Sequence, residues 1–328
     1  WSSSRSDNIA TNGLDGTYND YYTNITDNES AVLSGGVTTQ YRSGNHNLSF
    51  GFSANMNENV NYVKNLGTET TAGKGEWQFT LAPDLDYSYS KDSFSTNVYY
   101  FGSTQQPSNS QMSPTLNLGN PTMISAGNIY LKQYMYHYLG GYVRHNNREN
   151  FSYVNARFSG NMEQNAIVQA SWFDRNAIRY SVPVNSRKPS YSLSGTLTYN
   201  QPFGEKRYWT FSTYADVSYS ASAGYQAKEE LEGMDIEEFD YNDFMSEFWG
   251  NSSGDRFYSG DSGFSESKMT TLHYALDLGL KYQRDRFNAS VHAYGRNQIS
   301  KYSLDPDANA DTWMHSYSFD AMYTTLKN

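Results

Sequence analysis

The sequence predicts an all-β fold, an antiparallel transmembrane β-barrel of the outer-membrane kind, on three observations. Segment after segment alternates apolar and polar residues with a period of two. The links between those segments alternate between short and long. No run of about 18 apolar residues is present, so nothing in the chain crosses a membrane as a helix.

Alternation is clearest at 271–282, where Leu272, Tyr274, Leu276, Leu278, Leu280 and Tyr282 oppose Thr271, His273, Ala275, Asp277, Gly279 and Lys281. The same split occurs at 208–219, 287–296 and 77–90. Side chains of a strand point alternately to its two faces, so each segment is a strand with one apolar and one wet side. Eleven strands are predicted, near 30–42, 46–57, 75–90, 93–103, 132–144, 150–173, 189–200, 207–222, 268–283, 286–300 and 311–325. Short links are Ser43-Gly44-Asn45, Lys91-Asp92, His145 to Glu149, Gln201 to Lys206 and Arg284-Asp285. Long ones are 58–74, 104–131, 174–188, 223–267 and 301–310. A soluble sandwich has no reason to gather every long loop at one end, whereas a membrane barrel does. Backbone groups in hydrocarbon must all be paired, which requires a closed sheet.

An odd strand count sits poorly with single-chain bacterial barrels, which are even. Either residues 1–29 hide a further strand, with Tyr18 to Ile25 the candidate, or the chain is part of a larger barrel. The second reading is preferred. Residues 1–29 are then a lead-in segment and 30–328 the barrel proper. The chain opens Trp1-Ser2-Ser3-Ser4 with no charged or apolar leader, which reads as a mature or truncated product.

Composition agrees. The 328 residues carry a net charge of −10, no cysteine and 30 tyrosines. Lack of cysteine excludes disulfides, thiolate metal sites and a cysteine nucleophile. An acidic balance argues against nucleic-acid partners. Mean hydropathy of −0.76 looks too polar for a membrane protein until the two faces of each strand are separated. Only the apolar columns would touch lipid. Tyr100, Tyr134, Tyr136, Tyr138, Tyr142, Tyr199 and Tyr282 fall toward strand ends, where amphipathic rings favour headgroup depth.

Residues 111–133 run Gln111-Met112-Ser113-Pro114, then Asn120-Pro121, Ile124-Ser125-Ala126-Gly127-Asn128 and Leu131-Lys132, ahead of the aromatic strand Tyr134 to Tyr142. This pattern resembles the mid-barrel segment of TonB-dependent outer-membrane receptors of the Bacteroidetes type. Ile129 and Gln133 stand where that pattern has Pro and Pro-Glu. The resemblance implies about half of a roughly 22-stranded barrel, with uptake as its task. It also implies the TonB system as an energy partner, although neither plug nor TonB box is visible.

Candidate site residues follow from the polar columns and the loops. Asp216, His273, Asp277, His292 and Arg296 fall on the wet face and are the lumen or ligand candidates. In the acidic loop 223–267, Phe244, Phe248 and Trp249 are docking candidates for a substrate or surface lipoprotein, on a short helix that Asp243 would cap. A solvated lid with its aromatics tucked underneath is the plainer expectation for that loop. Asp305, Asp307, Asn309 and Asp311 place oxygens at alternate positions as a calcium loop does, but Ala310 replaces the needed Gly and Ser316 the closing Glu. Calcium is kept as a candidate on the spacing alone, and no other cofactor is implied. No nucleophile elbow, phosphate loop or metal-spaced histidine pair appears, so no enzyme is expected. Three functions compete: nutrient uptake through the barrel, a structural subunit among other outer-membrane proteins, and a soluble or adhesin-like sandwich.

Overall fold

The structure, a computed structural model, describes residues 2–8, 24–65, 68–72, 77–114, 116–120, 122–227, 229–234, 239–259 and 263–325. In chain order the first elements are β1 (Ser2–Asn8), β2 (Asn24–Ser43), β3 (His46–Asn65), β4 (Thr68–Ala72), β5 (Gln78–Lys91), β6 (Phe94–Gln105) and helix α1 (Asn109–Met112). Then come β7 (Leu116–Asn120), β8 (Met123–Ala126), β9 (Tyr134–Asn146), β10 (Tyr153–Gln164), β11 (Ile167–Phe173), β12 (Arg179–Asn185) and β13 (Ser190–Phe203). The last are β14 (Trp209–Ala227), α2 (Tyr241–Phe248), α3 (Asp255–Tyr258), β15 (Phe264–Arg284), β16 (Phe287–Tyr302) and β17 (Ala310–Tyr323).

The long strands form an antiparallel meander. β2, β3, β5, β6, β9, β10, β13, β14, β15, β16 and β17 pair successively, each with the next, and β1 lies beside β2. Among the described residues β17 pairs with β16 alone, and all fourteen of its residues are exposed. Three hairpins close through two residues, and the first of each pair is left-handed: Gly44 (φ 54°), Asp92 (φ 50°) and Asp285 (φ 47°). Glycine takes that region freely and aspartate tolerates it, so the short links carry the residues their geometry needs.

Each predicted strand is present, with four adjustments. The segment 150–173 divides at Asn165 (φ 61°) into β10 and β11. The predicted link 58–74 is largely strand, because β3 runs on to Asn65 and pairs with β4. Within 104–131 lie α1, β7 and β8, and within 174–188 lies β12. A strand does occur in 1–29, but at Ser2–Asn8; Tyr18 to Thr23 lie outside the described residues.

Between the outer strands β2 and β17, whose two faces are both largely exposed, the polar columns are the more shielded side of the sheet and the apolar columns the more open one. On β15, Leu276, Leu278 and Leu280 are exposed, whereas Ala275 and Gly279 of the alternate column are buried and Asp277 is half-buried. This order is the inverse of a water-soluble sheet. Near the long-loop end it reverts. In the apolar column of β14, Val217 is 49% exposed but Ala221 only 3%. Here β7, β8, β11, β12, α2 and α3 build a cap with a conventional core: Ile124, Trp172, Val182, Val184, Met245 and Phe248 among others. β11 pairs in parallel with the top of β14, and β12 in parallel with β8.

Candidate functional site

Cross-strand partners in an antiparallel pair share a face, so the registers lay out the polar face row by row. One row runs Asn97, Tyr142, Arg157, Thr196, Asp216, Ala275 and Arg296 across successive strands. His273 stands one row toward the long loops, opposite Ser218; Asp277 stands one row toward the short turns, opposite Tyr214; and His292 follows, opposite Gly279. The five lumen candidates thus share one strip on β14, β15 and β16. His273 Nδ1 lies 2.9 Å from Asp216 Oδ2. His292 Nδ1 lies 3.5 Å from Asp277 Oδ1, at the outer limit for a hydrogen bond. Arg296 belongs to the same strip without joining either pair.

Beside this strip is a recess of about 780 Å³, lined by residues of β6, β9, β10 and β13 with Tyr214 as the shared wall. Arg144, Arg157, Asn155, Asn97, Tyr138 and Tyr142 contribute to it. Sequence reading singled out Tyr138 and Tyr142 only as rings at headgroup depth, and the other four not at all; the registers put both rings on the polar face instead. Their alternation is visible, with Asn155, Arg157 and Ser159 in one column, but which columns adjoin depends on register between strands. Tyr99 stacks on Tyr138 (centroids 5.7 Å apart, 22°), and Tyr138 on Phe101 (5.2 Å, 19°), giving the rim an aromatic ladder.

The cap gathers the other candidates. Asp240, not Asp243, caps α2: its carboxylate accepts from the amides of Asn242 (2.8 Å) and Asp243 (3.0 Å). Asp243 lies in the first turn, where a negative charge also favours the helix N-terminus. Phe248 and Trp249 are buried in the cap core, and Phe244 is stacked on Phe248 at 5.5 Å. Phe248 and Trp249 therefore pack beneath the loop, while Phe244 is half-buried at its margin. Phe244 and Phe248 border a smaller pocket of about 370 Å³ with Trp172, Glu247 and Arg256.

Residues of the 111–133 motif hold the cap together. Asn128 is fully buried and donates to Pro183 O at 3.0 Å. Gly127 N donates to Ser113 O at 3.0 Å, an approach that leaves no room for a Cβ. Tyr241 Oη donates to Gly127 O (3.2 Å) and accepts from Ile129 N (3.1 Å). Asn185 joins the backbones of Lys132 and Asn165, while Tyr258 Oη donates to Asn185 O at 2.5 Å. Arg187 lies 4.2 Å over the Tyr258 ring. Burial raises the phenol pKa of Tyr241 and Tyr258 above the ordinary value; for Tyr258 the neighbouring Tyr225 adds to it.

The calcium candidates do not converge. Asp305 precedes a single 3-10 turn, Pro306–Ala308. Asn309 Oδ1 accepts from Tyr302 N at 2.7 Å, and Asp311 Oδ1 from Asn297 Nδ2 at 2.5 Å. Among the described residues no three His, Asp or Glu side chains gather as a metal site would require. The alternate oxygens serve turn and strand-end hydrogen bonding instead.

No protein-family model and no curated protein matches the chain. Among solved structures it is similar to the copper transporter OprC, at 9% identity and a TM-score of 0.41, over 97% of this chain and 52% of that one. It is also similar to the siderophore receptor PiuA from Acinetobacter baumannii, at 10% identity and a TM-score of 0.35, over 97% and 46%. A third is the Serratia marcescens hemophore receptor HasR, solved with its hemophore HasA and heme, at 12% identity and a TM-score of 0.36, over 92% and 60%. The chain spans about half the length of the first two and 60% of the third.

Proposed function

We propose that the chain forms part of the wall of an outer-membrane β-barrel that takes up a small nutrient through its polar interior, in the manner of a TonB-dependent receptor. The carrying observation is the exposed apolar band between two aromatic levels. Phe203, Trp209, Tyr282 and Phe287 cluster at the short-turn end, with Trp209 and Tyr282 centroids 4.8 Å apart. Tyr191 and Tyr219 meet at the other end, 6.0 Å apart. From Trp209 to Tyr219 is ten residues of β14. At ~3.3 Å per residue and a tilt of ~40° that is roughly 25 Å of height, the thickness of the apolar band in outer-membrane barrels. Beyond Tyr219 the apolar column is covered by the cap, as protein in water must be.

On this reading the short turns face the periplasm, the cap stands outside the cell, and the shielded polar face lines the lumen. The Asp216–His273 strip and the arginine-bearing recess are the surfaces a solute would meet. Among the described residues β17 pairs with β16 alone, and on this reading the wall is part of a larger barrel, roughly 22-stranded as the resemblance of residues 111–133 implies. Barrels of that width carry their ligands past an internal plug, and the TonB system would supply the energy. A scaffold role within an outer-membrane assembly is the alternative, favoured by the size of the cap's folded surface.

The experiment is expression with an outer-membrane signal, followed by fractionation and heat-modifiable gel migration. Recovery in the detergent phase of outer membranes, with a folded band that shifts on boiling, is the expected result. Recovery in the aqueous fraction sinks both membrane readings and returns the soluble sandwich.

A further inference from the structure

The recess beside Arg157 has a composition that the rest of the chain does not lead one to expect. The chain carries a net charge of −10, yet the recess is lined by two arginines and no carboxylate. Arg144 on β9 lies opposite Asn155, and Arg157 on β10 lies opposite Tyr142. The two arginines are therefore diagonal neighbours on one face, within reach of a single small anion. Arg144 lies 5.2 Å from the centre of the Tyr142 ring, and neither guanidinium is ion-paired among the described residues. The nearby carboxylates are already engaged: Asp86 accepts from Asn97 Nδ2 at 3.1 and 3.2 Å, and Asp216 holds His273.

A second observation is independent of charge: the wall also carries neutral polar side chains, Asn97 among them. Thr196 and Thr198 add hydroxyls to the same wall, and the ring of Tyr138 offers an apolar plane. The volume of about 780 Å³ falls within the range of small-molecule sites.

We propose that this recess binds an anionic small molecule that also carries hydroxyl groups. The ligand's carboxylate would take charge-assisted hydrogen bonds from Arg144 and Arg157, and its hydroxyls would bond with those of Thr196 and Thr198. The inference rests on the polar face being the water-lined inner wall, and it names the substrate class for that wall.

The test uses the purified full chain in detergent, titrated by equilibrium dialysis with D-glucuronate, D-glucose and acetate at constant ionic strength. Glucose removes the charge from the probe and acetate removes the hydroxyls. Glucuronate is expected to bind at least tenfold more tightly than either. R144Q and R157Q are each expected to lose about tenfold, and the double variant T196V/T198V to lose affinity for glucuronate but not for acetate. K281Q, on the same face but outside the recess, is expected to bind as the parent does. The inference is overturned if glucuronate binds no better than glucose, if R157Q with an unchanged folded gel band binds normally, or if K281Q loses as much as R157Q. Failure of the membrane reading is separately visible as aqueous partitioning; glucuronate binding by such a protein would still uphold the recess.

Discussion

The hydroxyl of Tyr241 is the bond between the long acidic loop and the 111–133 segment: it donates to Gly127 O at 3.2 Å and accepts from Ile129 N at 3.1 Å. The two partners are 114 and 112 residues away in sequence. One phenol thus fixes α2 against the backbone leading into β9, and with it the lid over this end of the sheet. Tyr241→Phe leaves a buried carbonyl and a buried amide unmatched, at a cost of about 1–3 kcal/mol. Protease nicking within 223–267 is expected to accelerate while the folded gel band of the sheet persists. Unchanged nicking would show that the aromatic core alone holds the loop.

The same tyrosine predicts alkaline opening of the cap. Burial raises the phenols of Tyr241 and Tyr258 above 10. A phenol raised in the folded state stays protonated while its unfolded counterpart ionises, so its contribution is complete below pH ~10 and declines above it. The decline approaches about 1.4 kcal/mol per pH unit for each group. Hydrogen exchange or proteolysis of the loop should therefore rise above pH ~10. The double variant Y241F/Y258F, weaker at neutral pH, should lose this dependence; a variant with the parent's alkaline profile refutes the assignment.

Gly127 is held to glycine by space. A Cβ there would sit 2.1 Å from the Ser113 carbonyl oxygen, which is backbone and cannot swing away. Gly127→Ala is expected to cost the cap about 1–3 kcal/mol through enforced displacement. Gly295→Ala meets nothing within 4 Å and supplies the control, expected to be neutral or mildly stabilising. Equal behaviour of the two variants in urea titration would remove the steric explanation.

Leu276, 46% exposed and mid-band on β15, separates the membrane reading from a soluble one. Leu276→Arg should destabilise the bilayer-inserted protein by about 2–4 kcal/mol, because the cation meets hydrocarbon. Thr196→Arg, on the polar face, should be accepted with little loss. Folding into liposomes under urea measures both. A soluble sheet would tolerate the arginine at 276 and rank the pair the other way.

Which parts of this molecule could be read in advance follows from the range of the forces involved. Alternation is local, and the strand positions, the short turns with Gly44, Asp92 and Asp285, and the membership of Asp216, His273, Asp277, His292 and Arg296 in one polar face were all legible in it. So was a short helix in the acidic loop, though its cap is Asp240, three residues ahead of Asp243. The spacing of Asp305, Asp307, Asn309 and Asp311 was legible too, but spacing does not say whether oxygens point inward to an ion or outward to a turn.

By itself the sequence determined an all-β chain whose every long strand has an apolar and a wet side, because side-chain direction along a strand has a period of two wherever the strand lies. Tertiary structure alone decided which columns adjoin. It set Arg144 diagonal to Arg157 in one recess. It also brought Tyr241 to Gly127 and put Phe248 and Trp249 beneath the loop and out of water. Register relates residues on separate strands, and the closure of the loop relates Tyr241 to residues more than a hundred positions away; both are settled by packing that no local pattern encodes.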